Sequence, residues 1–563
     1  QGKWYPGEEL PRWALASYWR RDGQPIWRDP SLLGDASQNQ GAAIDQAQAF
    51  IQHLAKRLGL QPDGVTPGYE DPLYHLWAES RLPTNVDPLS ADLKDPQERQ
   101  HLAERLRGDL GAPVGYALPL KWDFKRKGWS GARWVFRAGR MFLTPGTSPM
   151  GLRLPLASLP WVAKAEREPW PERNPLDTFE PLADDGQAAL ASQPDTTPTA
   201  PRQPAVEKAR MAPETPREIP HTALCVEPRD GNLYIFMPPA SHLEHYLELV
   251  AHVEATAARL KHPVIVEGYP PPSDPRLQSF KVTPDPGVLE VNIHPTTSWR
   301  ELVANTTTLY EEARLARLGT EKFMLDGRHT GTGGGNHITL GGVTPADSPI
   351  LRRPDLLQSL ITFWQHHPGL SYLFAGMFIG PTSQAPRVDE GREEQLYELE
   401  IAFDQIPPPS EQAPYWLVDR LLRHLLVDIT GNTHRSEFCI DKLYSPDSLA
   451  GRQGLVEFRA FDMPPHARMS IVQMLLLRTL IAVFWEKPYR HPLVRWGTAL
   501  HDRWMLPHFV ETDLAEVTAM MEAAGYPFAN EWLAPFFEFR FPHYGTVQIQ
   551  DIAIELRMAI EPW

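Results

Sequence analysis

The sequence predicts an α+β fold: a largely antiparallel sheet with one helix-covered face and one open face, preceded by a tryptophan-rich mixed α/β unit. Three observations carry this. After Thr222 the strand-like segments alternate polar and apolar residues, which suits a sheet packed on one side. Helical segments lie between those strands in a pattern that reads as α+β and not as a doubly wound parallel sheet. Ten of the eighteen tryptophans fall within the first 170 residues, which gives the front of the chain its own aromatic core.

A chain of 563 residues exceeds one ordinary core, so two or three domains are expected. Residues 1–170 form the tryptophan-rich unit. Within it DQAQAFIQHLAKRLGL (45–60) has helical spacing, and WVFRAGRMFLTPG (134–146) reads as a hairpin. Residues 171–221 read as a proline-rich linker or insertion, since no Phe, Trp or Tyr occurs between Glu180 and Leu233. Residues 222–563 then read as a second, α+β domain. CVEPRDGNLYIFMPP is a hairpin turning at Asp230-Gly231, and HLEHYLELVAHVEATAARLK is a helix. Strand VLEVNIHP, helix ELVANTTTLYEEARLARLG and helix PDLLQSLITFWQHH follow. YELEIAFD reads as a strand, WLVDRLLRHLLVDI as a helix, GLVEFRAFD as a strand and SIVQMLLLRTLIAVFW as a core helix. FFEFRF and IAIELRMAI read as the last strands.

A formal net charge of −15 argues against a nucleic-acid partner, which needs a basic surface. The apolar segment LLQSLITFWQHHPGLSYLFAGMFIG is broken by Gln365, His366, His367 and Pro368, so no membrane span is expected. Two cysteines, Cys225 and Cys439, give no disulfide framework and suit a reducing, cytoplasmic setting. The chain opens QGKWYPG without a methionine, which suggests a segment of a longer protein.

DGRHTGTGGGNHITLGG (326–342) holds seven glycines in seventeen residues. It fits neither standard phosphate pattern: no lysine follows the glycines, and the GxGxxG count from Gly331 ends on Asn336. The run permits close backbone approach, either to a ligand or in a tight structural turn. In GVLEVNIHP, Glu290, Asn292 and His294 share a strand face. His337 and Thr339 share another, and so do Glu457 and Arg459. Carboxylates gathered beside a glycine loop suit a divalent cation, and arginine beside them suits a phosphate or carboxylate. Glu-x-Arg recurs at Glu538/Arg540 and Glu555/Arg557, where solvated strand faces account for it. Arg387 in SQAPRVDE and Asn432, Arg435 and Glu437 in GNTHRSEF are loop residues placed to contact substrate, or to form surface ion pairs.

The order of these pieces resembles the glutamine synthetase and glutamate–cysteine ligase superfamily over roughly 222–470. Whole segments (GKWYPGEELPRW, FMLDGRHTGTGGGNHITLGG, FIGPTSQAPRVDE, TGNTHRSEFCIDKLYSP and LVEFRAFDMPPHARMS) are similar to a bacterial family termed "putative amidoligases", often fused to an upstream transglutaminase-like domain. The resemblance implies ATP-dependent joining of a carboxylate to an amine through an acyl phosphate, with a peptide or protein side chain among the substrates. It implies magnesium or manganese on Glu290, His337 and Glu457, with Asn292 and Glu227 at the flanking metal positions. Asn292 replaces an acid there, and Arg229 replaces the second acid after Glu227. It further implies that Arg459 meets phosphate, aided by Arg328 or Arg468. Gly331, Gly333, Gly334, Gly335 and Asn336 would then admit phosphate or substrate. Imidazole favours zinc or manganese over magnesium, which leaves open a metal hydrolase using Glu290 and His337 with His294, His329 and His434. A non-catalytic partner-binding scaffold is the third reading.

Overall fold

A computed structural model of the chain describes residues 13–71, 74, 111–163, 170–183, 219–285, 287–325, 327, 329–376, 378–390, 394–559 and 561–562. Most of the proline-rich segment, the opening GKWYPGEELPR and Arg328 lie outside them. The chain divides into two compact units, Gln1–Arg173 with Phe179–Thr283, and Asn174–Thr178 with Pro284–Trp563.

In the first unit β1 (Leu15–Arg20) pairs antiparallel with β9 (Leu277–Asp285). The main sheet holds β2 (Thr66–Tyr69), β3 (Gly115–Asp123), β4 (Gly128–Gly131), β5 (Met141–Phe142), β6 (Ala223–Arg229), β7 (Asn232–Met237) and β8 (Val264–Gly268). Its order is β5-β2-β3-β6-β7-β8, with β4 beside β3. The β6–β7 hairpin turns at Asp230 and Gly231, both at positive φ, as the Asp-Gly pair predicts. Period-two alternation sends Leu118, Leu224, Val226 and Ile235 into one core with Phe50, Leu54, Leu249 and Val253 from the helices Ile44–Arg57 and Leu243–Leu260. Each such side chain contributes on the order of 2 kcal/mol by leaving water. Ala117, Cys225 and Phe236 point the other way, onto Trp134, Met141, Leu143 and Met150. Both faces of this sheet are therefore covered. The unit boundary also differs from the expected one near residue 222, because β6 registers on β3 from Tyr116↔Val226 to Pro119↔Ala223.

The second unit begins with β10 (Val288–Asn292), the helix Trp299–Leu315, and the antiparallel pair β11 (Glu321–Phe323) and β12 (His329–Gly331). β13 (Ile338–Leu340) leads to the helices Asp355–His366 and Pro368–Phe374, and the short β14 (Phe378–Ile379) precedes the Arg387 loop. β15 (Phe438–Cys439) and β16 (Val456–Phe458) join β13 in a three-stranded antiparallel sheet. The helices Ala467–Glu486 and Pro507–Ala523 complete a core that takes in Leu360, Trp364, Phe438, Phe458, Leu477 and Val517. By length and composition Ala467–Glu486 is apolar enough to cross a bilayer, a span the sequence reading passed over. Here that apolarity serves packing, with Leu476, Leu477, Leu480 and Phe484 buried.

Three expected strands differ. YELEIAFD lies in the helix Gln395–Phe403, which buries Leu396, Leu399, Ala402 and Phe403 at helical spacing. The alternation was misleading because Tyr397 and Ile401 are exposed apolar residues. FFEFRF lies in the helix Ala534–Arg540, started by Pro535 in its first turn. The predicted hairpin at 134–146 keeps only β5 as strand. IAIELR does form a strand, β18 (Ile552–Arg557), paired with β17 (His543–Ile549), but Ile552, Ile554 and Leu556 are exposed where a packed face was expected.

Candidate active site on the polar face of a three-stranded sheet

The register of the small sheet places Thr339, Glu457 and Cys439 side by side across β13, β16 and β15. Their neighbours Ile338, Phe458 and Phe438 point into the helical core. Alternation thus anchors one face and leaves the other to polar groups. His337 immediately precedes β13, and Arg459 follows β16.

These groups converge on one carboxylate. Glu457 Oε1 lies 2.5 Å from Arg459 Nη1 and 3.2 Å from His337 Nδ1, and Glu457 Oε2 accepts from Lys442 Nζ at 3.4 Å. Burial opposes the Glu457 charge. The hydrogen bond to His337 and the charges of Lys442 and Arg459 outweigh it and hold the carboxyl well below its usual range. Arg459 Nη1 also lies 3.1 Å from His434 Nε2 and 3.3 Å from His337 Nδ1. On the far side of His434, Nδ1 is 3.7 Å from Cys439 Sγ and 3.8 Å from Asp441 Oδ2. The hydrogen bond from His434, against some burial, lowers the Asp441 carboxyl, whereas burial pushes the Cys439 thiol up to about 11.

The glycines explain how His337 reaches this face. The Asn336 amide donates to the Phe461 carbonyl at 2.8 Å, and Met463 N–H donates to the Gly334 carbonyl at 3.2 Å. A Cβ on Gly335 would fall on the His337 imidazole, and one on Gly331 on the Asp462 carboxylate. Asn336 Nδ2 is tied to Ser470 Oγ and Gln473 Oε1, 2.9 and 2.7 Å away on the helix Ala467–Glu486. Close packing against Asp462 thus accounts for Gly331, and the His337 ring accounts for Gly335. Gly333 adds a φ of 84° at the turn.

The model of the family described as "Putative amidoligase enzyme (DUF2126)" matches residues 1–563. The chain belongs to that family. No curated protein and no solved structure matches it.

Within this amidoligase-family chain the remaining expected residues are scattered. Glu290 and Asn292 on β10 bond to each other, Asn292 Nδ2 donating to Glu290 Oε1 at 2.9 Å. Glu227 belongs to the first unit, where it accepts from the Met150 N–H at 2.9 Å and burial raises its carboxyl. Arg229 bridges it to Glu267. Arg468 is exposed in the first turn of the helix Ala467–Glu486. Arg387 is buried, donating to both Asp389 oxygens at 2.8 Å and to Ser371 Oγ at 2.8 Å. Glu437 is buried as well, accepting from Trp364 Nε1 at 3.1 Å. Both were read as loop contacts, yet their polar atoms are engaged inside the core. Asn432 and Arg435 are exposed on the loop that delivers His434. His294 bonds Asn305 at 2.8 Å and His329 bonds Glu321 at 2.5 Å, so of the three alternative histidines His434 joins the cluster. Sequence reading gave no role to Cys439, Asp441 and Lys442. The alternation in FCID, with Phe438 and Ile440 in the core, was the signal for the first two.

Proposed function

We propose that the chain is an ATP-dependent carboxylate–amine ligase, with a glutamine synthetase-like reaction run on the polar face of β13, β16 and β15. The observation that carries this is the convergence of His337, more than a hundred residues away in sequence, on Glu457 and Arg459 in one charge cluster. In this reading the substrate carboxylate attacks the γ-phosphorus of ATP, giving an acyl phosphate and ADP. The amine then attacks the acyl carbon, phosphate leaves and the amine's proton passes to solvent. Such transfer depends on placement and on neutralising phosphate oxygens. Arg459 and Lys442 supply the positive charge, and Glu457 fixes both while keeping the face from becoming a static anion trap. The family resemblance extends the amine or acid to a peptide or protein side chain. Two free, buried thiols support a reducing, cytoplasmic setting.

A resident magnesium ion fits this face poorly. Magnesium wants several oxygen donors, whereas His337 and His434 offer nitrogen, Cys439 offers sulfur, and Glu290 belongs to its own pair with Asn292. Magnesium or manganese would arrive on the nucleotide.

Calorimetric titration with Mg-ATP and then Mn-ATP tests the reading, beside His337→Ala and Glu457→Ala checked for fold by circular dichroism. Binding by the wild type that both variants lose, followed by ADP release with an acid and an amine, supports it. A wild type that ignores nucleotide with both ions sinks it and leaves the hydrolase or scaffold.

A further inference from the structure

The edge of the same face carries His434 and Cys439, which the ligase reading does not use, beside Glu457, which it does. His434, Cys439 and Glu457 each offer one ligand atom, all within 4.8 Å of one another. Asp441 Oδ2 stands 3.8 Å from His434 Nδ1, and Cys439 Sγ stands 3.7 Å from that same nitrogen. In a tetrahedral zinc site, with metal–nitrogen and metal–sulfur bonds of about 2.0 and 2.3 Å, adjacent ligand atoms are about 3.5 Å apart. Two edges of such a tetrahedron are therefore nearly formed around His434 Nδ1.

We propose that His434, Cys439 and Glu457, with Asp441 beside His434, form a binding site for a zinc-class transition-metal ion. A mixed nitrogen, sulfur and oxygen set selects zinc over magnesium or calcium, because thiolate and imidazole are soft or borderline donors. One thiolate and two carboxylates face the ion, Arg459 and Lys442, which brings the cluster close to neutral. Arg459 has only 7% of its side chain exposed, and its Nη1 lies beside His434, His337 and Glu457, so the guanidinium holds a place where this cluster draws a cation. Access is open, since the side chains of His434 and Lys442 are about half exposed (54% and 47%).

Binding has a chemical consequence for the neighbour. The thiol S–H breaks, sulfur bonds the metal, and the proton leaves to solvent. His434 must present the Nδ1 lone pair to the ion, so its ring proton moves to Nε2. Nε2 can then no longer accept from Arg459 Nη1. Arg459 is released from His434 when the metal arrives. The site rests on the location of the ligase face but not on its reaction.

The test is titration of the metal-free protein with Co²⁺ alone, followed by absorbance. Wild type and Cys225→Ser should both give a thiolate-to-cobalt charge-transfer band that Zn²⁺ abolishes and Mg²⁺ does not. Cys439→Ser should lack the band. His434→Ala, a change on an exposed loop that leaves the core intact, should weaken Co²⁺ binding at least tenfold with an unchanged melting temperature. No band in the wild type, a band that survives in Cys439→Ser, or unchanged affinity in His434→Ala would overturn the proposal. Nucleotide is absent throughout. A cobalt band without ATP binding therefore sinks the ligase reading alone, and ATP binding without a band sinks the metal site alone.

Discussion

Arg459 Nη1 lies 2.5 Å from Glu457 Oε1, two residues back along the chain and on the same face. Glu-x-Arg recurs along this sequence, and in this copy both side chains are buried, with 7% and 9% exposed. Glu555/Arg557 is a surface pair, and Glu538 bonds Arg557 while Arg540 Nε donates to the Tyr372 carbonyl. Burial separates a coupled pair from decoration, because a charge that has left water needs its partner.

Replacing Glu457 by Gln should therefore leave Arg459 uncompensated. A loss of about 2 kcal/mol is expected, less than for a fully buried pair because Lys442 is half exposed. The Glu457 carboxyl is held below its unfolded value, so its stabilisation is present above about pH 4.3 and is lost as pH falls towards the folded value. Urea midpoints at pH 7 should differ between wild type and variant, and the gap should close on acidification below pH ~4. A gap independent of pH would mean that the carboxylate charge is not what stabilises.

Gly331 is the second place where the geometry is committed. Its missing Cβ leaves room for the Asp462 carboxylate, which burial raises to about 6. Gly331→Ala forces either the Asp462 side chain or β12 to move, at a cost of about 1–3 kcal/mol. The same change at Gly128, a strand glycine outside the positive-φ region whose Cβ would meet nothing within 4 Å, is the control for the substitution itself. Melting temperatures of the two variants decide the matter: equal losses would show that the crowding of Asp462 does not set the effect.

The legible part of this molecule was the part written in period two or period 3.6. The hairpin at Asp230-Gly231, the helix Leu243–Leu260 and the face shared by Glu457 and Arg459 all followed from spacing. Gln395–Phe403 was misread because Tyr397 and Ile401 put apolar side chains on the solvent face, which imitates alternation. Glu227 was grouped with residues 222–563 for a different reason. Strand pairing between Tyr116 and Val226 is long-range, and no local pattern reveals that β6 completes the sheet of the front unit. Arg387 and Glu437 lie in polar, turn-rich stretches that read as surface. Their burial depends on Trp364, Ser371 and Asp389, which lie elsewhere in the fold or can pair only once it forms.

Glu437→Gln should make the protein more stable at neutral pH. Burial pushes this carboxyl up to about 7, against the pull of Arg387. A carboxyl whose folded pKa is raised contributes stability at low pH and loses it as pH rises from about 4.3 through the folded value. Gln keeps an acceptor for Trp364 Nε1 and carries no charge to bury. The two proteins should be within about 0.5 kcal/mol of each other at pH 4.5. The variant should gain about 2 kcal/mol by pH 8. Denaturation at both pH values checks this, and a variant less stable at pH 8 would show that the ionised group is satisfied in place.

Lys442 separates stability from ligand binding. Its ammonium is 3.4 Å from Glu457 Oε2 and 47% of the side chain is exposed, so the pair is worth little to the fold. Lys442→Ala should change stability by less than about 1 kcal/mol. If phosphate oxygens come to this face, the same change removes one of the two cations that meet them. Nucleotide affinity should then fall about tenfold, or about 1.4 kcal/mol, and the salt dependence of binding should weaken with it. Calorimetry with Mn-ATP at two ionic strengths, beside a urea titration, gives both readouts. An unchanged Kd at both salts would remove Lys442 from the anion-binding face and leave Arg459 alone in that role.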